Sequence, residues 1–201
     1  DFCVLVQPSA QLSIEFGVRV GVAGHRCNVY WGDGTSASLA PSVIANTSLA
    51  KTYATGAVRA VVVLGKITRF ESTNTDGKTA FGGRVGGLTS LTNLYVTGSN
   101  TLSGSIAGLT LLTVFSVQGS NTLSGPVAGL TLLTLLNVQG MNTLSGPIAG
   151  LTLLTNLFVT GSNTLFGWGA VAATATGLCQ FTHGGLTVLD ATEVNAVLAG
   201  F

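Results

Sequence analysis

LTSLTNLYVTGSNTLSGSIAG (88–108), LTLLTVFSVQGSNTLSGPVAG (109–129), LTLLTLLNVQGMNTLSGPIAG (130–150) and LTLLTNLFVTGSNTLFGWGAV (151–171) are four near-identical copies of one 21-residue unit. Leu94, Phe115, Leu136 and Leu157 recur at that step. So do Val96, Val117, Val138 and Val159, and Asn100, Asn121, Asn142 and Asn163. A fixed period of this length marks a stacked architecture, because one unit cannot bury its own apolar face. Within each copy the Leu94 and Val96 class alternates with polar neighbours, which predicts one short strand per copy. The glycine after it, and the Ser-Gly or Ser-Gly-Pro further on, turn the chain. The return segment brings one more apolar side chain inward: Ile106, Val127 or Ile148. Stacking pairs each strand in parallel with the next. It buries a continuous column in which each Leu or Val contributes roughly 1.5–3 kcal/mol.

These residues resemble a leucine-rich repeat, over roughly residues 67 to 181. The resemblance implies that the side chains of Asn100, Asn121, Asn142 and Asn163 bond backbone groups of adjacent coils as a ladder. The L-S-G-x-I stretch resembles plant-type repeats. Here one residue more separates the strand Leu from the Asn than in that pattern, and the extra position, the Gly98 class, predicts a bulge or wider turn after the strand. Degenerate coils flank the four copies. ITRFESTNTDGKTAFGGRVGGL (67–88) aligns as an opening coil with Ile67 and Phe70 on its strand, and LCQFTHGGL (178–186) reads as a closing strand. In LDATEVNAVLAGF (189–201), Asp190 or Thr192 is a helix cap, Val194, Val197 and Leu198 are apolar, and Gly200 is a stop. That predicts a capping helix near 190–199.

The first 65 residues differ. FCVLVQ (2–7), QLSIEFGVRVGV (11–22), RCNVYWGDGTSAS (26–38) and KTYATGAVRAVVVLG (51–65) alternate as strands, with Gly-Asp-Gly as a turn. Several short strands with turn signals suggest a small sandwich. The pairing of N-V-Y-W-G-D-G-T with K-T-Y-A-T-G-A-V-R-A-V-V-V resembles the PKD-like, Ig-type domain. Lys51 stands where that family has His, and Val58-Arg59 replaces its usual aromatic. The expected fold is therefore mainly β: a small PKD-like β-sandwich over residues 1–65, then a leucine-rich-repeat parallel solenoid over residues 66–201 with a C-terminal capping helix. A PKD-like domain running straight into such repeats resembles bacteriophage virion proteins and bacterial surface proteins.

Composition narrows the function classes. Only 7% of residues are charged, where about 25% is usual. The net charge is +1, and no charged side chain lies between Arg84 and Asp190. No electrostatic footprint for nucleic acid is present. Mean hydropathy is +0.58, yet Thr, Gly and Asn interrupt every apolar run before the ~20 residues that a membrane span needs. Asp1-Phe2-Cys3 reads as the start of a strand, so either a leader was removed or the chain is a piece of something longer. An uncharged surface this large favours burial in an assembly over a free monomer. Of the three cysteines, Cys3 and Cys27 lie in neighbouring strand candidates where a disulfide is conceivable. Free buried thiols are the default, and Cys179 is left over.

No constellation of an active site appears. His25 and His183 lack an acid to orient them. Asp190 and Glu193 fit a helix N-terminus. Gly32-Asp33-Gly34 offers one carboxylate, too few for calcium. GGRVGG lacks the helix and the acid of a dinucleotide fingerprint. We expect no catalytic residue, no metal and no cofactor. The outward strand face is the informative surface. Alternation places Asn93, Tyr95 and Thr97 outward, then Val114, Ser116 and Gln118, then Leu135, Asn137 and Gln139, then Asn156, Phe158 and Thr160. A face of amides, hydroxyls and aromatics without charge suits a protein surface or a neutral host glycan, with Tyr95 and Phe158 as anchors. The expected role is a non-enzymatic structural or binding module located in a virion or at a cell surface. It would be a phage fibre, decoration or adhesion component, or else a bacterial adhesin or a glycan-binding module. Its partners would be other protein copies, virion or surface proteins, or a glycan.

Overall fold

A computed structural model describes residues 1–8, 12–21, 25–40, 46–74, 80–167 and 180–184. The first part contributes β1 (Phe2–Gln7), β2 (Ser13–Arg19), β3 (Cys27–Tyr30), β4 (Ser36–Leu39), β5 (Thr47–Thr52) and β6 (Arg59–Leu64). An opening coil supplies β7 (Arg69–Asn74) and β8 (Gly82–Arg84). The coils carry β9 (Asn93–Gly98), β10 (Thr101–Ser105), β11 (Val114–Val117), β12 (Thr122–Pro126), β13 (Leu135–Val138), β14 (Thr143–Pro147), β15 (Asn156–Thr160) and β16 (Thr164–Phe166). β17 (Gln180–Gly184) follows. The protein is mainly β, and no helix occurs among the described residues. The segment 190–199, where the sequence predicts a capping helix, lies outside them.

Two sheets hold all of these strands. One runs β16-β14-β12-β10-β8-β1-β6-β3-β4, the other β17-β15-β13-β11-β9-β7-β2-β5. In the second sheet β9, β11, β13 and β15 pair in parallel, with Leu94, Phe115, Leu136 and Leu157 in one line. All four are fully buried. The 21-residue period is thus one turn of a parallel-strand stack. Each turn holds two strands, where the sequence reading placed one. The T-L-S-G segment is extended because its Leu102, Leu123, Leu144 and Leu165 also point into the core. A second line of parallel pairs, β10-β12-β14-β16, results. Ile106, Val127 and Ile148 close the interior just beyond that strand.

Both sheets run on across residue 65, taking strands from either side of it. β1 pairs antiparallel with both β6 and β8, and β8 continues in parallel with β10. β2 pairs antiparallel with β5 and β7, and β7 continues in parallel with β9. Aromatic rings fill the core at this change of direction. Phe16 stacks on Phe70 at 5.6 Å between centroids, and Phe81 meets both edge-on at 5.9 and 6.1 Å. Such contacts add roughly 0.5–1.5 kcal/mol each beyond area burial.

The W-G-D-G-T turn joins β3 to β4 and is closed by Trp31 N–H donating to Thr35 O at 3.0 Å. Asp33 accepts from the Thr35 amide at 2.9 Å and its hydroxyl at 2.6 Å, and pairs with Lys51 Nζ at 2.9 Å. The Thr35 hydroxyl first, then Lys51 and the Thr35 amide, hold its carboxyl far below the usual range. Tyr53 Oη donates to Trp31 O at 2.8 Å. Cys3 and Cys27 are free and buried. β6 runs between their strands. Two strand spacings, roughly 9–10 Å, exceed what a disulfide spans.

Candidate functional site

Register turns the outer face of the second sheet into a grid. One row reads Arg19, Arg69, Asn93, Val114, Leu135, Asn156. The next reads Gly17, Glu71, Tyr95, Ser116, Asn137, Phe158. Thr97, Gln118, Gln139 and Thr160 extend the face along the following position of each coil, all half-buried. Strands about 4.7–4.9 Å apart fix the spacing along each row.

Three ladders inside the coils hold that grid. Asn100, Asn121, Asn142 and Asn163 are buried. Each Oδ1 accepts from a backbone N–H of the preceding coil: Phe81 at 3.2 Å, Leu102 at 2.9 Å, Leu123 at 3.0 Å and Leu144 at 2.8 Å. Each Nδ2 donates to the carbonyl three residues back, at 2.9–3.1 Å. A second ladder is one that sequence reasoning missed. Thr92, Thr113, Thr134 and Thr155 donate their hydroxyls to Thr68, Thr92, Thr113 and Thr134 carbonyls at 2.9–3.0 Å. Its signal was the second threonine of every L-T-x-L-T. The third is steric. The extra residue after each strand forms a column, Gly119, Gly140 and Gly161, with φ of 97°, 95° and 96°. A Cβ on any of them would overlap the carbonyl oxygen of the glycine one coil earlier. The wider turn expected there is therefore a left-handed glycine that lets two backbones approach.

Between β13 and β15 the face sinks into an open depression of about 250 Å³, lined by Leu135, Asn137, Gln139, Asn156 and Phe158 over Leu136 and Leu157. Gln139 Nε2 donates to Asn137 Oδ1 at 3.0 Å, which fixes both amides. The Asn93 and Asn156 side-chain amides each lie against the hydroxyl of the preceding threonine, at 2.9 and 3.0 Å. Gln118 lies between Thr97 and Gln139, away from the depression. The structure thus groups Leu135, Asn137, Gln139, Asn156 and Phe158, and leaves Asn93, Tyr95 and Gln118 on the coils before them.

The face is not free of charge, as the repeats alone suggested. The same sheet continues through β7 and β2, so Arg19, Arg69 and Glu71 share it. Arg69 lies over the Tyr95 ring at 4.4 Å, so one face of that anchor is already covered. Placing Phe70 inward on the opening strand carried this signal, because alternation then turns Arg69 and Glu71 outward. Among the described residues no group of three His, Cys, Asp or Glu could hold a metal ion, and His25 is exposed.

No protein-family model matches the chain, and no curated protein matches it. Among solved structures, the BIR3–SERK2 complex from Arabidopsis thaliana is similar over 63% of this chain and 75% of that one, at 22% identity and a TM-score of 0.36. So distant a likeness carries no statement about ligand or partner.

Proposed function

We propose that the protein is a non-enzymatic recognition module of a virion or cell-surface assembly, and that it binds a glycan on the outer face of its second sheet. The carrying observation is the depression beside Phe158, where the Asn137, Gln139 and Asn156 amides converge on rigid strands. A ring for stacking and fixed amide donors and acceptors match the alternating apolar face and hydroxyl edge of a sugar. We read the coils as leucine-rich repeats, supported by the asparagine ladder. We read the first part as PKD-like, supported by the Asp33–Thr35–Lys51 cluster and the Tyr53–Trp31 bond. With those readings the setting is a phage fibre, decoration or adhesion component, and a bacterial adhesin shares the same parts. Host-cell binding by wild type and by Phe158→Ala/Asn137→Ala, both with unchanged melting temperature, tests the site. A loss of tenfold or more is expected, and equal binding would refute it.

A second surface favours contact with protein. On the outer face of the first sheet Phe2, Val6, Tyr30 and Leu64 are all exposed, Phe2 by 56%. They lie on three adjacent strands, β1, β6 and β3. Apolar groups clustered in this way mark contact surfaces, which fits a chain held within an assembly.

A further inference from the structure

Arg19 and Arg69 stand directly opposite one another across β2 and β7. Like charges in that relation destabilise a sheet unless something separates or neutralises them. Arg69 is fully engaged. Its Nε and Nη2 hold Glu71 Oε2 at 2.9 and 2.7 Å, and its guanidinium lies on Tyr95. The other Glu71 oxygen accepts from Asn46 Nδ2 at 2.9 Å. Glu71 folds over Gly17, where a Cβ would come within 2.7 Å of its Cγ, so the absence of a side chain there lets it turn toward Arg69. Arg19 has no such partner among the described residues. It is half-buried, its shielded Nε–H finds no hydrogen-bond acceptor, and no carboxylate of those residues lies within ion-pair distance. Glu15, the other acid of β2, receives the Ser48 hydroxyl at 3.1 Å, and it is four residues, roughly 13 Å, along the strand.

We infer that Arg19 is the receptor for a carboxylate on the glycan, which makes the ligand an acidic oligosaccharide. This inference rests on the glycan reading above and names its class. With Nε shielded, the edge left to a ligand is the pair of Nη groups, whose coplanar donors a carboxylate fills with two parallel bonds. Arg19 occupies the same sheet row as Leu135 and Asn156, which line the depression. At 4.7–4.9 Å per strand it stands roughly 20 Å from there. A single sugar cannot touch both, whereas an extended oligomer running across the strands can. Its neutral rings would lie over Tyr95, Ser116 and Asn137, with the acidic group at the β2 end.

The test is an array of carboxylate-bearing oligosaccharides about six sugars long, built on galacturonate, glucuronate or sialate, each beside its neutral methyl ester. The full chain is probed at low and high salt, because an exposed charge contact is screened. We expect at least one acid to bind tenfold or more tighter than its ester, with the preference shrinking as salt rises. Arg19→Gln should remove the preference, and Arg19→Lys should retain part of it with the fold unchanged. Equal binding of acid and ester, or a preference that survives Arg19→Gln, would overturn the inference. If that equal binding is lost in Phe158→Ala, the glycan site stands without the carboxylate subsite. Binding of neither form overturns both.

Discussion

Replacing Asn142 by alanine removes two hydrogen bonds at once. Its Oδ1 satisfies the buried Leu123 N–H at 3.0 Å, and its Nδ2 satisfies the Gln139 carbonyl at 3.1 Å. Neither backbone group gains a substitute from alanine, and Asn142 itself is fully buried, so water does not reach the gap without opening the coil. Leaving a buried polar group unpaired costs about 1–3 kcal/mol, which gives about 3–5 kcal/mol for the pair once lost packing is included. For a chain of this size that is a fall in Tm of roughly 6–20 °C. Asn137→Ala is the internal control. It changes the same side chain five residues earlier, on the outer face, where Asn137 Oδ1 accepts only from the Gln139 side chain. Its cost should stay within about 0.5 kcal/mol. Thermal and urea unfolding followed by circular dichroism compare the two. Equal shifts, or less than about 1 kcal/mol for Asn142→Ala, would refute the argument that the ladder satisfies buried backbone.

Leu136→Ala empties a fully buried site in the column and should cost about 2–5 kcal/mol in urea unfolding. Gly140→Ala should cost at least about 2 kcal/mol in the same assay, because alanine strains at φ of 95° and its Cβ overlaps the Gly119 carbonyl oxygen; a neutral result would mean that the coils are spaced wider than described. Burial and the neighbouring Cys27 push the Cys3 thiol up to about 12, and burial pushes Cys27 up to about 11. Unfolded thiols ionise near pH 8.5, so stability from this source is complete below that pH and declines as pH rises toward 11–12. Both thiols should resist alkylation at pH 8 until the chain is unfolded, and rapid labelling of native protein would show that they are accessible.

The solenoid was legible because its physics repeats. Leu94 and Val96 alternate, Asn100 follows at a fixed offset, and four copies at one step leave a single way to bury the apolar residues. The second strand of each coil was harder to read. T-L-S-G contains one apolar residue and a glycine, so it shows no alternation and reads as a turn. It becomes a strand only because Leu102 and Leu123 must both reach a shared interior and because a neighbouring coil offers the parallel partner. The threonine ladder hid for a related reason. Thr92 and Thr113 look like ordinary polar loop residues until the coils stack and place each hydroxyl beside the carbonyl of the previous copy. The outward amides of Asn93, Asn137 and Asn156 followed from alternation alone. The charged end of the face did not, because Arg19 joins it through β2–β7 pairing between segments about 50 residues apart, which no local pattern encodes.

The internal ladders also explain how this face can be chemically varied. Asparagine, threonine and glycine at fixed positions satisfy the coil backbone and set its spacing without help from outward side chains. Each outward position is then released from structural duty. The row that holds Asn93 and Asn156 holds Val114 and Leu135 in the copies between them, with the same register and the same buried column beneath. Polar and apolar residues therefore occupy one geometric slot at similar cost to stability. Such a surface is specified one residue at a time, at intervals set by the strand spacing. Only the β2–β7 end breaks this rule, because there Gly17, Glu71, Arg69 and Tyr95 constrain one another. Among the described residues Arg19 is the member of that end that pairs with no carboxylate, which leaves its charge unneutralised at the edge of the grid.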